Sequence, residues 1–489
     1  MRLLRVLEGI RCRHMRGAHD GIEVLDVAYD SRRATPGCLF VCIPGHAADG
    51  HDFAADAMRR GAVALVVTRE LDLEVPQVLV EDARDALAVA SVALFGDGSR
   101  RLDVVGVTGT AGKTTVTHMV EHVVRERGGH AGVIGTVGYR YGSHEMPPTF
   151  TTPVSRELQE LLGSMADDGC DVCALEVSSH AIATARCAHT HFAATVFTNL
   201  SREHLELHGT IEDYFQTKAR FLLEADADAR VVCAMDDGGR RLSRLLRERG
   251  LPMLEVSAER RADVRLVRLE GIGLEGSIVE AEVAGCPVSM RLSVPGDFNA
   301  RNALTVLGVA SALGWDVDAC ARALEGFGGA PGRMERIAEA DEWGICVLVD
   351  YAHTPTELEQ AIRAARAGTR GRLAVVFGCG GERDPGNRPL MGRAASAADL
   401  VVVTSDNPLS EDPDMIARQT LSGMEEMSSL ALVRLDRREA IREALLWAHP
   451  GDTVLVAGKG HERTQTVGTH TFAFDDRAVC RELLQGLGA

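Results

Sequence analysis

A chain of 489 residues, 45% of them hydrophobic, has room for roughly three domains of ~150 residues, each with its own core. Its net charge of −17 argues against nucleic acid as a main partner, because phosphate backbones attract basic faces, and no apolar run is long enough to suggest a membrane partner. The twelve cysteines lie mostly singly in apolar segments, the pattern of a reduced cytoplasmic protein that uses cysteine as a small hydrophobe.

Residues 1–101 predict a small α/β unit. A strand at 24–29 ends at Asp30-Ser31-Arg32, and Pro36-Gly37 turns into an apolar strand at 38–43. A helix from 51 to about 60, a strand at 62–67 and a helix at 83–94 follow. Residues 1–14 carry basic side chains but no uninterrupted apolar region, so no signal peptide is expected. The polar, glycine-rich stretch 95–101 marks a boundary.

Residues 102–330 predict a second unit with strands at 103–107, 133–137, 172–177 and 193–197, separated by helices such as 154–165. Strands alternating with helices predict a parallel sheet, and ligands bind such sheets at the carboxyl ends of the strands. The first strand runs into VTGTAGKTT, residues 107–115. Gly109 and Gly112 permit a tight turn, and successive N–H groups then face inward at a helix N-terminus, an anion site suited to a polyphosphate. Lys113 adds charge, and the Thr114 hydroxyl sits where phosphate-loop proteins hold Mg²⁺. ATP is the expected guest, although Val107 stands where the strict GxxxxGK[ST] spacing asks for glycine. Glu176, near a strand end, suits a metal bridging phosphates, and His204 on the same rim suits a metal or phosphate role. His189 and His191 read as a solvated pair, Cys170 and Cys173 as packing, and Lys218 alone as a solvated lysine. Residues 263–294 predict short antiparallel strands, and 299–313 a helix.

Residues 331–489 predict another parallel sheet, with strands at 346–349, 373–377, 400–403 and 453–456 and helices near 355–366, 389–397 and 437–447. Arg333 reads either as a phosphate clamp or as an ordinary surface arginine. Arg388, Asp406, Asn407 and Glu462 lie on loops at one rim. Together they suit a zwitterion such as a free amino acid; the alternative is helix capping by Asp406 and Asn407, with surface charge for the other two.

The ordered segments DSRRATPGCLFVCIPGHAADGHDF (30–53), VTGTAGKTT (107–115), TTP (151–153), LEVSSHA (175–181), FTNLSREHLELHGTIEDYFQTKARF (197–221), GDFNARNAL (296–304), PGRMERI (331–337), VDYAHTP (349–355), GCGGERDPGNRPLMG (378–392), DNPLSEDP (406–413) and AGKGHE (457–462) resemble the Mur ligases over essentially the whole chain. The type resembled adds the third residue of the peptidoglycan stem peptide. The resemblance implies an N-terminal UDP-substrate domain at 1–101 and a central ATP-binding domain with a small antiparallel sheet at 102–330. A Rossmann-like, amino-acid-binding domain at 331–489 completes it. It also implies a cytoplasmic, monomeric enzyme. ATP with Mg²⁺ phosphorylates the free carboxylate of a UDP-N-acetylmuramoyl dipeptide, and an amino-acid amine displaces the phosphate.

By the same resemblance, Gly109, Thr110, Gly112, Lys113, Thr114 and Thr115 form the phosphate loop, Asn299 and Asn302 the adenine region, Arg333 a phosphate contact and Asp350 the ribose side. Thr114, Glu176 and His204 fall at the metal, and Lys218 matches a lysine carbamylated to N6-carboxylysine. Ser31, Arg32, Thr151, Thr152, Ser178 and Arg186 match contacts to the UDP-linked substrate, and Arg388, Asp406, Asn407, Gly458 and Glu462 the amino-acid pocket. The chain departs from the family pattern at Ala111, Glu203, Glu206 and Leu409. Leu409 replaces the arginine of a DNPR motif, which pairs with the distal carboxylate of diaminopimelate in enzymes that add it. The expected amino acid is then L-lysine, another amino acid lacking that carboxylate or a diaminopimelate-like one, with a paralogue outside wall synthesis using the same chemistry on other substrates as the alternative. The other readings are a nucleotide-binding regulator without turnover and a folylpolyglutamate synthetase relative, the second disfavoured by 30–53.

Overall fold

The computed structural model describes residues 1–45, 48–203, 205–424 and 430–487. The fold is mixed α/β with largely parallel sheets, as expected, and the chain divides into two compact units. One comprises Met1–Thr108, Gly128–Val196 and Gln216–Arg230; the other comprises Gly109–Arg127, Phe197–Phe215 and Val231–Ala489.

The first unit opens with a five-stranded sheet in the order Cys12–Arg16, Gln77–Val80, Ala64–Val67, Cys38–Val41, Asp26–Ala28. Only Cys12–Arg16 runs antiparallel to its neighbour. The strands Cys38–Val41 and Ala64–Val67 are buried at every position, as covering on both faces requires. Leu87 and Ala90 of the helix Ala83–Phe95 share one core with Leu39, Val41 and Val66, while Phe40, Leu65 and Val67 pack with Ala54 and Ala57 in another. The helix expected from 51 begins instead as a 3-10 turn, Gly50–Phe53, and becomes α-helical over Ala54–Arg59. Asp49 tightens that turn, accepting from both the backbone N–H and Nδ1 of His51.

In the same unit, Asp103–Thr108, Val172–Glu176 and Ala131–Ile134 pair in parallel, and the register sets Glu176 opposite Val107. The strand expected at 133–137 ends at Ile134. Gly135 passes so close to Glu176 that a Cβ on it would lie 2.2 Å from Oε1, and the backbone there serves the carboxylate rather than the ladder. Cys170 and Cys173 are buried free thiols, consistent with packing. His189 is exposed, as the solvated reading expects, with its Nε2 2.7 Å from Asp85, whereas His191 is largely covered, with its Nε2 3.1 Å from Asp228.

The second unit holds a six-stranded sheet in the order Glu335–Arg336, Cys346–Asp350, Thr453–Ala457, Leu373–Phe377, Leu400–Val403, Leu430–Val433. All but the first pair are parallel. The helix Pro355–Gly368 covers one face and the helices Arg437–Trp447 and Asp476–Leu487 the other. Thr354 caps the first of these helices, with proline in its opening turn. The stretch expected to be antiparallel is the meander Val264–Gly271, Ser277–Val283, Cys286–Leu292. It leads into the buried helix Asp297–Ala312. No helix among the described residues is long and apolar enough to cross a membrane.

Candidate active site

Residues 109–112 turn from strand to helix through two glycines at positive φ, Gly109 at 148° and Gly112 at 85°. A Cβ on Gly109 would lie 1.9 Å from Thr198 Oγ1, and one on Gly112 would lie 2.6 Å from Asn302 Oδ1. Between them the backbone of Ala111 is bonded at both ends. Its N–H donates to Asn199 Oδ1 at 2.9 Å, and its carbonyl accepts from Thr198 Oγ1 at 2.7 Å and Asn199 Nδ2 at 3.0 Å. The carbonyl of Asn199 accepts from the N–H of Thr110 at 2.9 Å. Thr198 and Asn199 therefore hold the loop's shape, and the side chain at 111 is not needed for it. The signal for these two in the sequence is a polar pair directly after the apolar strand Phe192–Phe197. Lys113 Nζ donates to its own loop, to the carbonyls of Gly109 at 2.9 Å and Thr110 at 2.6 Å.

A cavity of about 320 Å³ is lined by Gly112, Thr114, Thr115, Asn302, Arg333 and Asp350, among others. Arg333 has the geometry of a clamp rather than of a surface residue. Its Nη2 lies 3.3 Å from Thr114 Oγ1, its guanidinium stacks 4.6 Å from the Tyr351 ring centre, and its Nε is buried without a hydrogen-bond partner among the described residues. Such an N–H is poised to meet an acceptor. Burial pushes the Asp350 carboxyl up to about 6 against the pull of Arg333, while its oxygens accept from the N–H groups of Met334 and Ala352. Asn299 accepts from Asn302 Nδ2 at 3.3 Å and orients it. His353 stands 3.2 Å from Glu357 and 3.4 Å from Glu203; burial opposes its charge, but the two carboxylates outweigh that and raise it to about 9.

A second cavity in this unit, about 390 Å³, gathers Arg388, Asp406, Asn407, Gly458 and Glu462 with Leu409 and Arg383. The capping alternative fails: Asp412, not Asp406 or Asn407, caps the nearby helix Pro413–Leu421. Asn407 Nδ2 donates to Glu462 Oε2 at 2.9 Å. Arg388 is buried rather than a surface charge, bonded to Glu411 at 2.9 Å and Gln419 at 2.6 Å. Its guanidinium holds the Glu411 carboxyl below its usual range. Gly458, at φ 111°, passes Asp406 where a Cβ would lie 2.7 Å from Oδ2.

In the first unit, Glu176 is fully buried and accepts from the Thr136 N–H at 2.9 Å and hydroxyl at 3.1 Å. The Thr136 and Thr151 hydroxyls lie 3.2 Å apart, and Thr152 donates to the Glu176 carbonyl at 2.7 Å. The Thr152 hydroxyl accepts from the Ser178 N–H, and its carbonyl accepts from Arg186 Nη1 at 2.9 Å. Thr151, Thr152, Ser178 and Arg186 thus share one polar cluster with Glu176. Lys218, on the helix Ile211–Glu224, is 1% exposed, so the solvated reading is wrong. Ser31 is buried, whereas Arg32 is exposed and tied to Asp30. A separate cavity of about 310 Å³ beside them is lined by Tyr29, Asp30, Arg33, Arg156 and Glu157. His204 and the side chain of Glu206 lie outside the described residues.

Among the described residues, no group of three or more His, Cys, Asp or Glu is placed to hold a metal ion. Mg²⁺ commonly takes only one or two protein carboxylates, with phosphates and water completing its shell. The oxygen donors Glu176 and Thr114 are of the kind it prefers.

Three family models match the chain: "Mur ligase family, catalytic domain" over residues 23–102, "Mur ligase middle domain" over 107–310 and "Mur ligase, glutamate ligase domain" over 332–460. A UDP-N-acetylmuramoyl-L-alanyl-D-glutamate–2,6-diaminopimelate ligase of Gloeobacter violaceus is 41% identical over 468 residues, 95% of this chain and 94% of that protein. A solved structure of a ligase with that same name superposes with a TM-score of 0.69 at 30% identity, covering 95% of this chain and 96% of the other. MurF ligase from Thermotoga maritima, in complex with ADP, shares the fold with a TM-score of 0.61 at 22% identity, covering 96% and 98%.

Proposed function

Because this chain belongs to the Mur ligase family, we propose that it is an ATP-dependent ligase joining an amino acid to UDP-N-acetylmuramoyl-L-alanyl-D-glutamate in peptidoglycan biosynthesis. The observation that carries the reading is the clamp of Arg333 on Thr114 at the mouth of a glycine-built phosphate loop. The family-model matches support a division at 1–101, 102–330 and 331–489.

The substrate carboxylate attacks the γ-phosphorus of ATP, giving an acyl phosphate and ADP. The amine then attacks the carbonyl carbon and expels phosphate, leaving an amide. In the first step the loop N–H groups and Lys113 hold the phosphates, Lys113 exchanging its loop carbonyls for phosphate oxygens. Arg333 offers its unpartnered N–H to the charge that builds on the transferring phosphoryl group. Asn299 and Asn302 address the base and Asp350 the ribose. Mg²⁺ supplies charge neutralisation, with Thr114, Glu176, His204 and carbamylated Lys218 as its proposed holders. Ser31, Arg32, Thr151, Thr152, Ser178 and Arg186 are assigned to the UDP-linked substrate.

The amino acid enters the cavity of Arg388, Asp406, Asn407, Gly458 and Glu462. Leu409 on its wall gives no bidentate partner to a second carboxylate, which favours L-lysine. Arg383, exposed at the same cavity, supports diaminopimelate as the second reading. The test is ADP release, with the amide detected by mass spectrometry. Release that requires both the UDP-muramoyl dipeptide and an amino acid supports the reading; release that requires neither overturns it.

A further inference from the structure

Gly458 and Glu462 of AGKGHE are assigned to the amino-acid cavity, but Lys459 beside them is not, and its side chain is 0% exposed. Lysine is almost never wholly buried unless paired. Here Nζ donates to Glu462 Oε2 at 2.7 Å and to Asn407 Oδ1 at 3.2 Å. Asn407 Nδ2 donates to the same Glu462 oxygen at 2.9 Å, and Asn407 Oδ1 also accepts from the N–H of Thr466 at 3.0 Å. The bonds close a triangle that fixes which way the Asn407 amide faces. They also occupy Oε2 of Glu462, leaving Oε1 as the oxygen available to an incoming ammonium, on a side chain 30% exposed at the cavity.

The loops carrying this triangle are themselves pinned. Arg437, buried with Asp476 at 2.7 Å, donates to the carbonyls of Ala457 at 2.8 Å and Ser405 at 3.4 Å. Those carbonyls lie just ahead of Gly458-Lys459 and Asp406-Asn407. A braced backbone under a braced carboxylate is more than a lone buried lysine needs for its own neutralisation.

We propose that Lys459 is a positioning residue for the amino-acid substrate, acting through Glu462 and Asn407 to present one carboxylate oxygen to the amine. The inference rests on reading this cavity as the amino-acid site, so wild-type amide formation is measured first. If the wild type forms no amide with any amino acid of a panel, that reading fails, and the Lys459 role with it. With ligation established, K459M, E462Q and the double variant are compared in steady state, with melting curves alongside. K459M is expected to raise the amino-acid KM about tenfold, the worth of one charge-assisted hydrogen bond, and to leave the KM of ATP and of the dipeptide substrate within about twofold. The double variant should be no worse than the worse single one, because Lys459 acts through Glu462. N407L, which removes the other arm of the triangle without touching a charge, should raise the same KM and serves if K459M does not fold. An ATP KM that rises in step, singles whose effects multiply, or N407L with an unchanged amino-acid KM overturns the proposal.

Discussion

The two cavities of the second unit are built by opposite means. The proposed nucleotide cavity is organised on one run of backbone, residues 109–115, turned by two glycines and locked by Thr198 and Asn199, with side chains such as Asn302, Arg333 and Asp350 completing its wall. The amino-acid cavity is mostly side chain, gathered from separate strand ends and resting on buried cations, Arg388, Arg437 and Lys459. A backbone cradle binds whatever carries phosphates and tolerates no added Cβ. A side-chain cavity can be retuned by one substitution. The nucleotide site should therefore fail in rate or ATP affinity when altered, and the amino-acid site should change its preference.

The largest expected effect falls on the nucleotide side. Arg333→Met removes the guanidinium while keeping a flexible apolar side chain over Tyr351, and kcat should drop roughly 10³-fold, as for loss of an arginine that meets transferring phosphoryl charge. The amino-acid KM should hardly move. Steady-state kinetics with each substrate varied would check this, and a drop of less than tenfold would return Arg333 to a structural role.

Next comes a difference in pH response. Asp350 in the nucleotide cavity is raised from 3.8 to about 6, chiefly by burial. The folded state then holds the proton more tightly than the unfolded chain, so stability falls as pH rises from 3.8 to about 6 and is level above. The shift corresponds to about 3 kcal/mol. Glu411, beside the amino-acid cavity, has the opposite sign: its pKa is depressed by Arg388, so it stabilises above its unfolded value and loses that as pH falls. Denaturant midpoints across this range should show Asp350→Asn removing the first slope and leaving the second.

A third test touches the loop alone. Gly112→Ala places a Cβ 2.6 Å from Asn302 Oδ1 at a φ of 85°, and the ATP KM should rise about tenfold. If ATP affinity is unchanged, the loop is not the rigid cradle its geometry describes.

The same contrast explains what was legible in the sequence. Lys113 and the glycines of the loop could be read because their chemistry is local: adjacent residues make adjacent N–H groups. The β-branched strands could be read because burial on both faces needs an unbroken apolar run, as at Leu400–Val403. The strand Cys12–Arg16 could not, since it is an edge strand, exposed at most positions and without an apolar pattern. The triangle of Lys459, Asn407 and Glu462 was equally hidden, because its partners lie 52 and 55 residues apart and meet only through the sheet order. Lys218 read as solvated for a similar reason: its burial depends on packing that no local window records.

The smallest expected effect is a change of preference on the amino-acid side. Leu409 sits at φ 53°, and its carbonyl accepts from the Gly468 N–H at 2.7 Å, so its backbone is already committed to the left-handed region. An unbranched arginine meets the same strain there, and Leu409→Arg should leave the loop in place. The new guanidinium can pair with a second carboxylate, but in a cavity open to solvent that pair is worth little more than 1 kcal/mol, so relative kcat/KM for diaminopimelate over lysine should rise about fivefold. Arg383→Ala gives the complementary result. If diaminopimelate is the natural substrate and Arg383 meets its distal carboxylate, the variant loses diaminopimelate and keeps lysine. If lysine is the natural substrate, the ratio barely moves. A shifted ratio with either variant in a competition assay would show a side-chain cavity retuned by one residue. A fall in ATP affinity with either variant would mean that the two cavities are not independent.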